Sequence, residues 1–246
     1  MMAAEIRNPN ASMPSTAETD LIHELEHAQR LHQARQASPR LAAALDRVAG
    51  WQSRRLNATY ADLVRDPRYA EAIRFFQSDL YGPGDYSRRD ADLARVVPIM
   101  VRVLPDGVIA VIAKAIELST LSHELDRALV ARLGEDAPLS VVAYCAAYRA
   151  CDNHSERERQ IALIVEVGAA LDRYVHMPLL RSALAAMRRP ARIAGVGALQ
   201  AFLELGLLSF RGMNGAGEFL AVIKTRETAV MQAILAGDDA PFAEPA

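Results

Sequence analysis

Apolar residues recur along this chain at helical spacing, every three or four positions, and no alternating Val/Ile/Thr run bounded by turns interrupts them. The pattern predicts helices throughout. Leu21, Leu25, Ala28 and Leu31 form a thin apolar stripe on an otherwise charged helix over 17–37. Pro39 suits the first turn of a second helix carrying Leu41, Leu45, Val48, Trp51, Gln52 and Leu56 and continuing toward Val64. Asp66 and Pro67 make an N-cap and first-turn pair for a helix through Tyr69, Ala72, Ile73, Phe76 and Leu80, ending at Gly82-Pro83. Ser87 caps the next helix, and Pro98 inside it predicts a kink or a break.

Pro105-Asp106-Gly107 punctuates the chain again, and Val108, Ile112, Ala115 and Ile116 form the face that follows. Ser119-Thr120 predicts the start of a separate helix bearing Leu121, Leu125, Leu129 and Leu133. A helix after Pro138 presents Val142, Tyr144 or Cys145, and Tyr148. Ser155-Glu156-Arg157-Glu158 reads as a capping box before Ile161, Ile164, Gly168, Leu171 and Val175. Pro178 and Pro190 each predict a new start, Asn214 to Gly217 a turn, and Phe219, Ile223, Val230 and Ile234 the last helix. Nine or ten helices with short links and no splitting linker predict an all-α, single-domain bundle over 16–236. A loose tail is expected at 1–15 and a flexible one at 237–246.

Composition excludes several classes of function. A net charge of −2 gives no general attraction to nucleic acid or to an anionic membrane. No apolar run of about 20 residues spans a bilayer, and no basic start with an apolar run marks a signal peptide, so the default location is the cytoplasm. Cys145 and Cys151, six residues apart on one helix, stand about 9 Å apart along the axis, beyond disulfide reach.

The segment Phe75 to Asp90 departs from plain amphipathic helix, combining aromatics, two glycines, a proline and charges of both signs. The carboxylates in and just after it, Asp79, Asp85, Asp90 and Asp92, could share a proton or bind a metal, yet Arg88, Arg89 and Arg95 neutralise them at short range. His23-Glu24-Leu25-Glu26-His27 has the H-E-x-x-H zinc-protease spacing, but on a polar helix with no third ligand at a recognisable distance, which favours a solvated His/Glu face. His123, His154 and His176 are conceivable haem ligands without an attachment motif. Gln200 lies among Gly197, Ala201 and Leu203, and Arg226 and Glu227 fall between Ile223 and Val230. A buried Arg–Glu pair there would mark an internal pocket; at the stripe's edge the guanidinium would reach water instead. The candidate pocket or motif residues are therefore Phe75, Phe76, Asp79, Tyr81, Asp90, Gln200, Arg226 and Glu227, with no metal ligand set and no cofactor.

Phe75-Phe76-Gln77-Ser78-Asp79-Leu80-Tyr81 followed by Gly82-Pro83 resembles the signature of bacterial proteins named for their FFLEELY motif, differing at its third, fourth and fifth positions. Trp51-Gln52-Ser53-Arg54-Arg55-Leu56 and the stretch from Phe202-Leu203-Glu204 through Arg226-Glu227 extend the likeness over roughly residues 40–236. The resemblance implies a bacterial, helical, single-domain protein and brings no activity or catalytic residues. Two functions follow as expectations. The preferred one is a non-enzymatic helical protein that binds a partner protein or a small apolar ligand. The alternative is a helical metal- or haem-binding protein or enzyme with its site near the 79–95 turn. Pairing of the stripe on helix 17–37 with a second copy is a further possibility.

Overall fold

The structure is a computed structural model that describes residues 15–75, 91, 92, 94, 95, 97, 104–193, 195 and 197–245. Among the described residues the chain forms ten α-helices and no strand, and they make one all-α, single-domain bundle. The helices are α1 (Thr16–Gln36), α2 (Pro39–Thr59), α3 (Ala61–Arg65), α4 (Ala70–Phe75) and α5 (Asp106–Leu133), then α6 (Val141–Ala150), α7 (His154–Val175), α8 (Pro178–Ile193), α9 (Gly197–Arg211) and α10 (Gly217–Leu235). No helix among the described residues is long and apolar enough to cross a membrane.

Serine starts three of these helices by accepting an orphan amide, as Ser15 does from Glu18, Ser38 from Leu41 and Ser140 from Ala143. Other predicted starts fail for local reasons. Ser119 and Thr120 lie inside α5, which runs unbroken for 28 residues. Their neighbourhood satisfies hydroxyls without a break: Thr120 Oγ1 lies 3.0 Å from the Glu117 carbonyl, and Ser122 Oγ donates to the Leu118 carbonyl at 2.7 Å. The capping box at Ser155 does not form, because α7 has already begun at His154 and the Ser155 hydroxyl donates to Glu156. Pro190 sits in the last turn of α8 rather than opening a helix. Asp66 accepts from the Arg68 amide at 2.8 Å and so makes a turn, deferring α4 to Ala70. The second helix stops at Thr59, where Tyr60 breaks it ahead of the short α3.

Two long helices organise the rest. α5 packs against α1, α2, α6 and α7, while α7 packs against α5, α8, α9 and α10. Leu21, Leu25 and Ala28 of α1 bury against Ile109, Ala113 and Ile116 of α5. The stripe considered for a second copy is therefore covered within the chain. The same contact recruits the H-E-x-x-H residues: His27 Nε2 lies 2.9 Å from Glu124 Oε1, and Thr120 Oγ1 lies 3.1 Å from Glu24 Oε2. His23 and Glu26 of that motif stand on a solvated face; Glu24 and His27 fasten α1 to α5.

A second core joins Leu45, Val48 and Trp51 of α2 to Leu129, Tyr144, Cys145 and Met231. Burial pushes the Cys145 thiol up to about 11, which keeps it protonated and unreactive. Val142, expected on the core face of α6, is 58% exposed, because the inward face is Val141, Tyr144, Cys145 and Tyr148. Composition reads 237–246 as flexible, yet residues 237–245 are tied to this core. The Phe242 ring lies 5.9 Å from Trp51, Arg149 Nη2 reaches Asp239 at 2.6 Å, and Glu244 accepts the first amide of α6 at 2.9 Å.

Gly206 lets α9 approach α4, since a Cβ there would stand 2.7 Å from Phe75 Cζ and within 3.3 Å of two further ring carbons. A buried ring gives way poorly. Gly206→Ala is therefore expected to lower unfolding stability by about 1–3 kcal/mol in urea denaturation. Adding Phe75→Leu should recover part of that loss in a double-mutant cycle; an additive cycle would show that the two residues do not press on each other.

Candidate functional site

The most polar part of the interior surrounds a cavity of about 150 Å³ between α2, α5, α6, α7 and α10. Its polar groups come from residues that share a face with core side chains. On α2, Gln52 and Arg55 lie on the same buried face as Trp51. From α10, Glu227 meets them. Arg55 Nη1 donates to Glu227 Oε1 at 2.8 Å and Nη2 to Oε2 at 2.9 Å, and the Tyr60 hydroxyl donates to Oε1 at 2.7 Å. Burial by itself would raise the Glu227 pKa. The charge of Arg55 and the hydrogen bonds from Arg55 and Tyr60 outweigh it and hold the carboxyl below its usual range. Burial, then the charge of Glu227, pushes the Tyr60 hydroxyl up, so it stays a donor.

A second chain of bonds runs alongside. Gln52 Nε2 donates to Asp126 at 2.6 Å, and the Tyr144 hydroxyl donates to Gln52 Oε1 at 3.2 Å. On the α7 side, Gln160 donates to Ser122 Oγ at 2.8 Å. Arg157 is 4% exposed, and its guanidinium lies 4.4 Å over the Tyr148 ring. Arg157 Nε and Nη2 have no hydrogen-bond partner among the described residues. Leu118, Ile161, Ile164, Ile223 and Val230 supply apolar wall, and Phe242 closes in from the C-terminal segment.

This arrangement suits binding better than proton transfer. Burial raises the hydroxyl pKa values of Tyr144 and Tyr148 as well, so neither is poised as a base. Glu227 is ionised but already accepts three hydrogen bonds. Among the described residues no group of three or more His, Cys, Asp or Glu is placed to hold a metal ion.

Of the candidate residues that are described, Phe75, Gln200, Arg226 and Glu227, only Glu227 lines the cavity. Arg226 turns the other way, clamping Asp62 at 2.8 and 2.7 Å and the Thr59 carbonyl at 2.7 Å. The two do not form a buried Arg–Glu pair with each other, because successive helical residues point about 100° apart. Arg226 reaches the edge of the stripe and fastens α10 to the α2–α3 junction. Gln200 joins α9 to α8 through the Leu184 carbonyl at 2.7 Å and also bonds Glu204. Phe75 packs on Phe202 with ring centres 5.4 Å apart, away from the cavity lining. Phe76, Asp79, Tyr81 and Asp90, and most of the 79–95 turn, lie outside the described residues. Within that segment Asp92 is paired by Arg95 at 3.2 Å, one instance of the neutralisation at short range that the sequence suggests.

Arg55 and Arg157 escaped the sequence reading, although each carries a signal. Arg55 stands four residues after Trp51 and three after Gln52, on the stripe. Arg157 precedes Ile161 by one turn, on the face that continues through Ile164 and Gly168, where a cation is costly. Assignment of 155–158 to a cap hid it.

Removing one partner of the Arg55–Glu227 pair strands the other. Arg55→Met and Glu227→Gln are each expected to cost about 3–5 kcal/mol, and the double variant Arg55→Met/Glu227→Met much less than their sum, in chemical denaturation. The pH dependence has a definite sign. Because the folded pKa of Glu227 is depressed, its stabilisation is complete above the ordinary glutamate value of about 4.3 and is lost as pH falls through the folded value. Acid titration of stability should accordingly be shallower in Glu227→Gln than in wild type; equal slopes would mean that Glu227 is not ionised in the fold.

No curated protein matches the chain, and no solved structure does. One family does match, over residues 31–241, a span that includes every helix around the cavity. The chain belongs to that family, described as Domain of unknown function (DUF8198).

Proposed function

We propose that the protein binds a small, largely apolar molecule in the cavity between α2, α5, α6, α7 and α10, without turning it over. The cavity itself carries the reading. Space of about 150 Å³ among core side chains forfeits about 4 kcal/mol of packing at roughly 24 cal/mol per Å³. Larger side chains at Ala115 or Ser119 would recover much of it, and both positions are small. The volume suits a molecule of benzene to short-chain size. The resemblance to FFLEELY motif proteins, a bacterial origin and a cytoplasmic location belong to the same reading, as does a small molecule rather than a protein as partner.

Trp51 reports on the site. It is the only tryptophan in the chain, and its ring centre lies 4.7 Å from that of Tyr144, which lines the cavity. Titration with hexanol, octanol and decanol should change Trp51 emission saturably, with affinity rising along the series until the chain outgrows the cavity. Ala115→Leu fills the space and should abolish the response while raising the melting temperature. A response that does not saturate, or that survives Ala115→Leu unchanged, would count against the cavity as the binding site.

A further inference from the structure

We propose that the ligand is an amphipathic monocarboxylate whose head group is held by Arg157 while its apolar tail lies against Ile161, Ile164 and Ile223. This inference rests on the cavity as a ligand site and adds the sign of the ligand's charge.

One hydrogen-bonding edge beside the cavity, that of Arg157, is unused without it. Arg55 is spent on Glu227, with both carboxylate oxygens engaged. Asp126 takes the amide of Gln52. Arg157 is 4% exposed, lines the cavity and forms no ion pair with a carboxylate among the described residues. The carboxylates beside it on α7 are directed elsewhere: Glu156 accepts from Ser155, and Glu158 lies 3.4 Å from His154. A guanidinium taken out of water without an anion is among the costlier groups a core can hold. The cation–π contact with Tyr148 offsets part of that cost but supplies no hydrogen-bond acceptor to Nε or Nη2.

The geometry of the unused atoms names the chemistry. Nε–H and Nη2–H lie parallel on one edge of a guanidinium, spaced for the two oxygens of a carboxylate. Arg159, two residues along the same helix, uses that edge: its Nε and Nη2 donate to the two oxygens of Glu117, each at 2.9 Å. Arg157 holds the same fork inside the bundle with neither atom bonded. The outer arginine has its carboxylate from α5; the inner one lines the cavity with that fork unbonded. The surrounding isoleucines exclude a highly charged partner and favour one anionic group on an apolar body.

Octanoate and octanol share a tail and differ in the head, so the pair isolates this claim. In the full-length protein near neutral pH and at constant ionic strength, Trp51 emission should report octanoate binding about tenfold to a hundredfold tighter than octanol. Arg157→Met should reverse that order, because the carboxylate then pays desolvation without a cation, while octanol binding stays close to wild type. Arg157→Lys keeps the charge without the fork and should retain part of the preference. Octanol binding by each variant also verifies its fold. If Arg157→Met does not fold, the wild-type comparison and Arg157→Lys decide. Octanol bound as tightly as octanoate, or a preference that survives Arg157→Met, overturns the carboxylate while leaving the cavity as a site. Binding of neither compound overturns both.

Discussion

Arg55 and Glu227 stand 172 positions apart in the chain and meet through two hydrogen bonds in the interior of the bundle. Neither charge is tolerable there alone, since each desolvated ion costs several kcal/mol that only its partner offsets. The requirement is geometric as well as energetic. α2 must present its guanidinium edge-on to the α10 carboxylate, and Tyr60 must end α2 so that its hydroxyl supplies the third donor. Arg226, one residue before Glu227, then holds the other side of the same junction through Asp62 and Thr59. Adjacent residues of α10 thus fasten it to the end of α2 from two directions.

The rest of the bundle is arranged around that fastening by α5 and α7, which between them touch most of the other helices. Long helices of this kind must carry some polar residues inward, and here most such residues are satisfied at home. Ser122 and Ser209 bond carbonyls one turn back, and Gln52 bridges Asp126 and Tyr144. The side chains that pack between the helices leave a cavity where five of them converge. Its walls combine branched aliphatic residues with a neutralised ion pair and one further guanidinium, the combination on which the proposed ligand site rests.

Much of this architecture is legible in the amino-acid order. The all-α class follows from apolar periodicity, and Ser38-Pro39, Pro178 and the Asn214–Gly217 turn mark real boundaries because cap and turn chemistry act over a few residues. The misreadings share a cause. Ser119-Thr120 and Ser155 have the residue types of a helix start, but a hydroxyl within a helix can bond a carbonyl one turn back or a neighbouring side chain, and which it chooses depends on whether the helix is already propagating. Pro190 lies inside α8 instead of opening a helix; it removes an amide donor there, and the helix ends three residues later at Ile193.

The site is the part that local order could not reveal. Glu227 was visible as an acid on an apolar face, but its partner, the seat of Phe242 over Trp51 and Tyr144, and the unbonded fork of Arg157 depend on segments distant in sequence. Local order alone determined that the chain is helical, where most helices begin and end, and which faces are apolar, because those properties arise from hydrogen bonds and side-chain spacing within one or two turns. Tertiary structure decided which charged residues on those faces turn inward and whether they find a counter-charge. Desolvation and Coulomb attraction act between whichever groups the fold brings within about 4 Å, and sequence separation has no bearing on that distance.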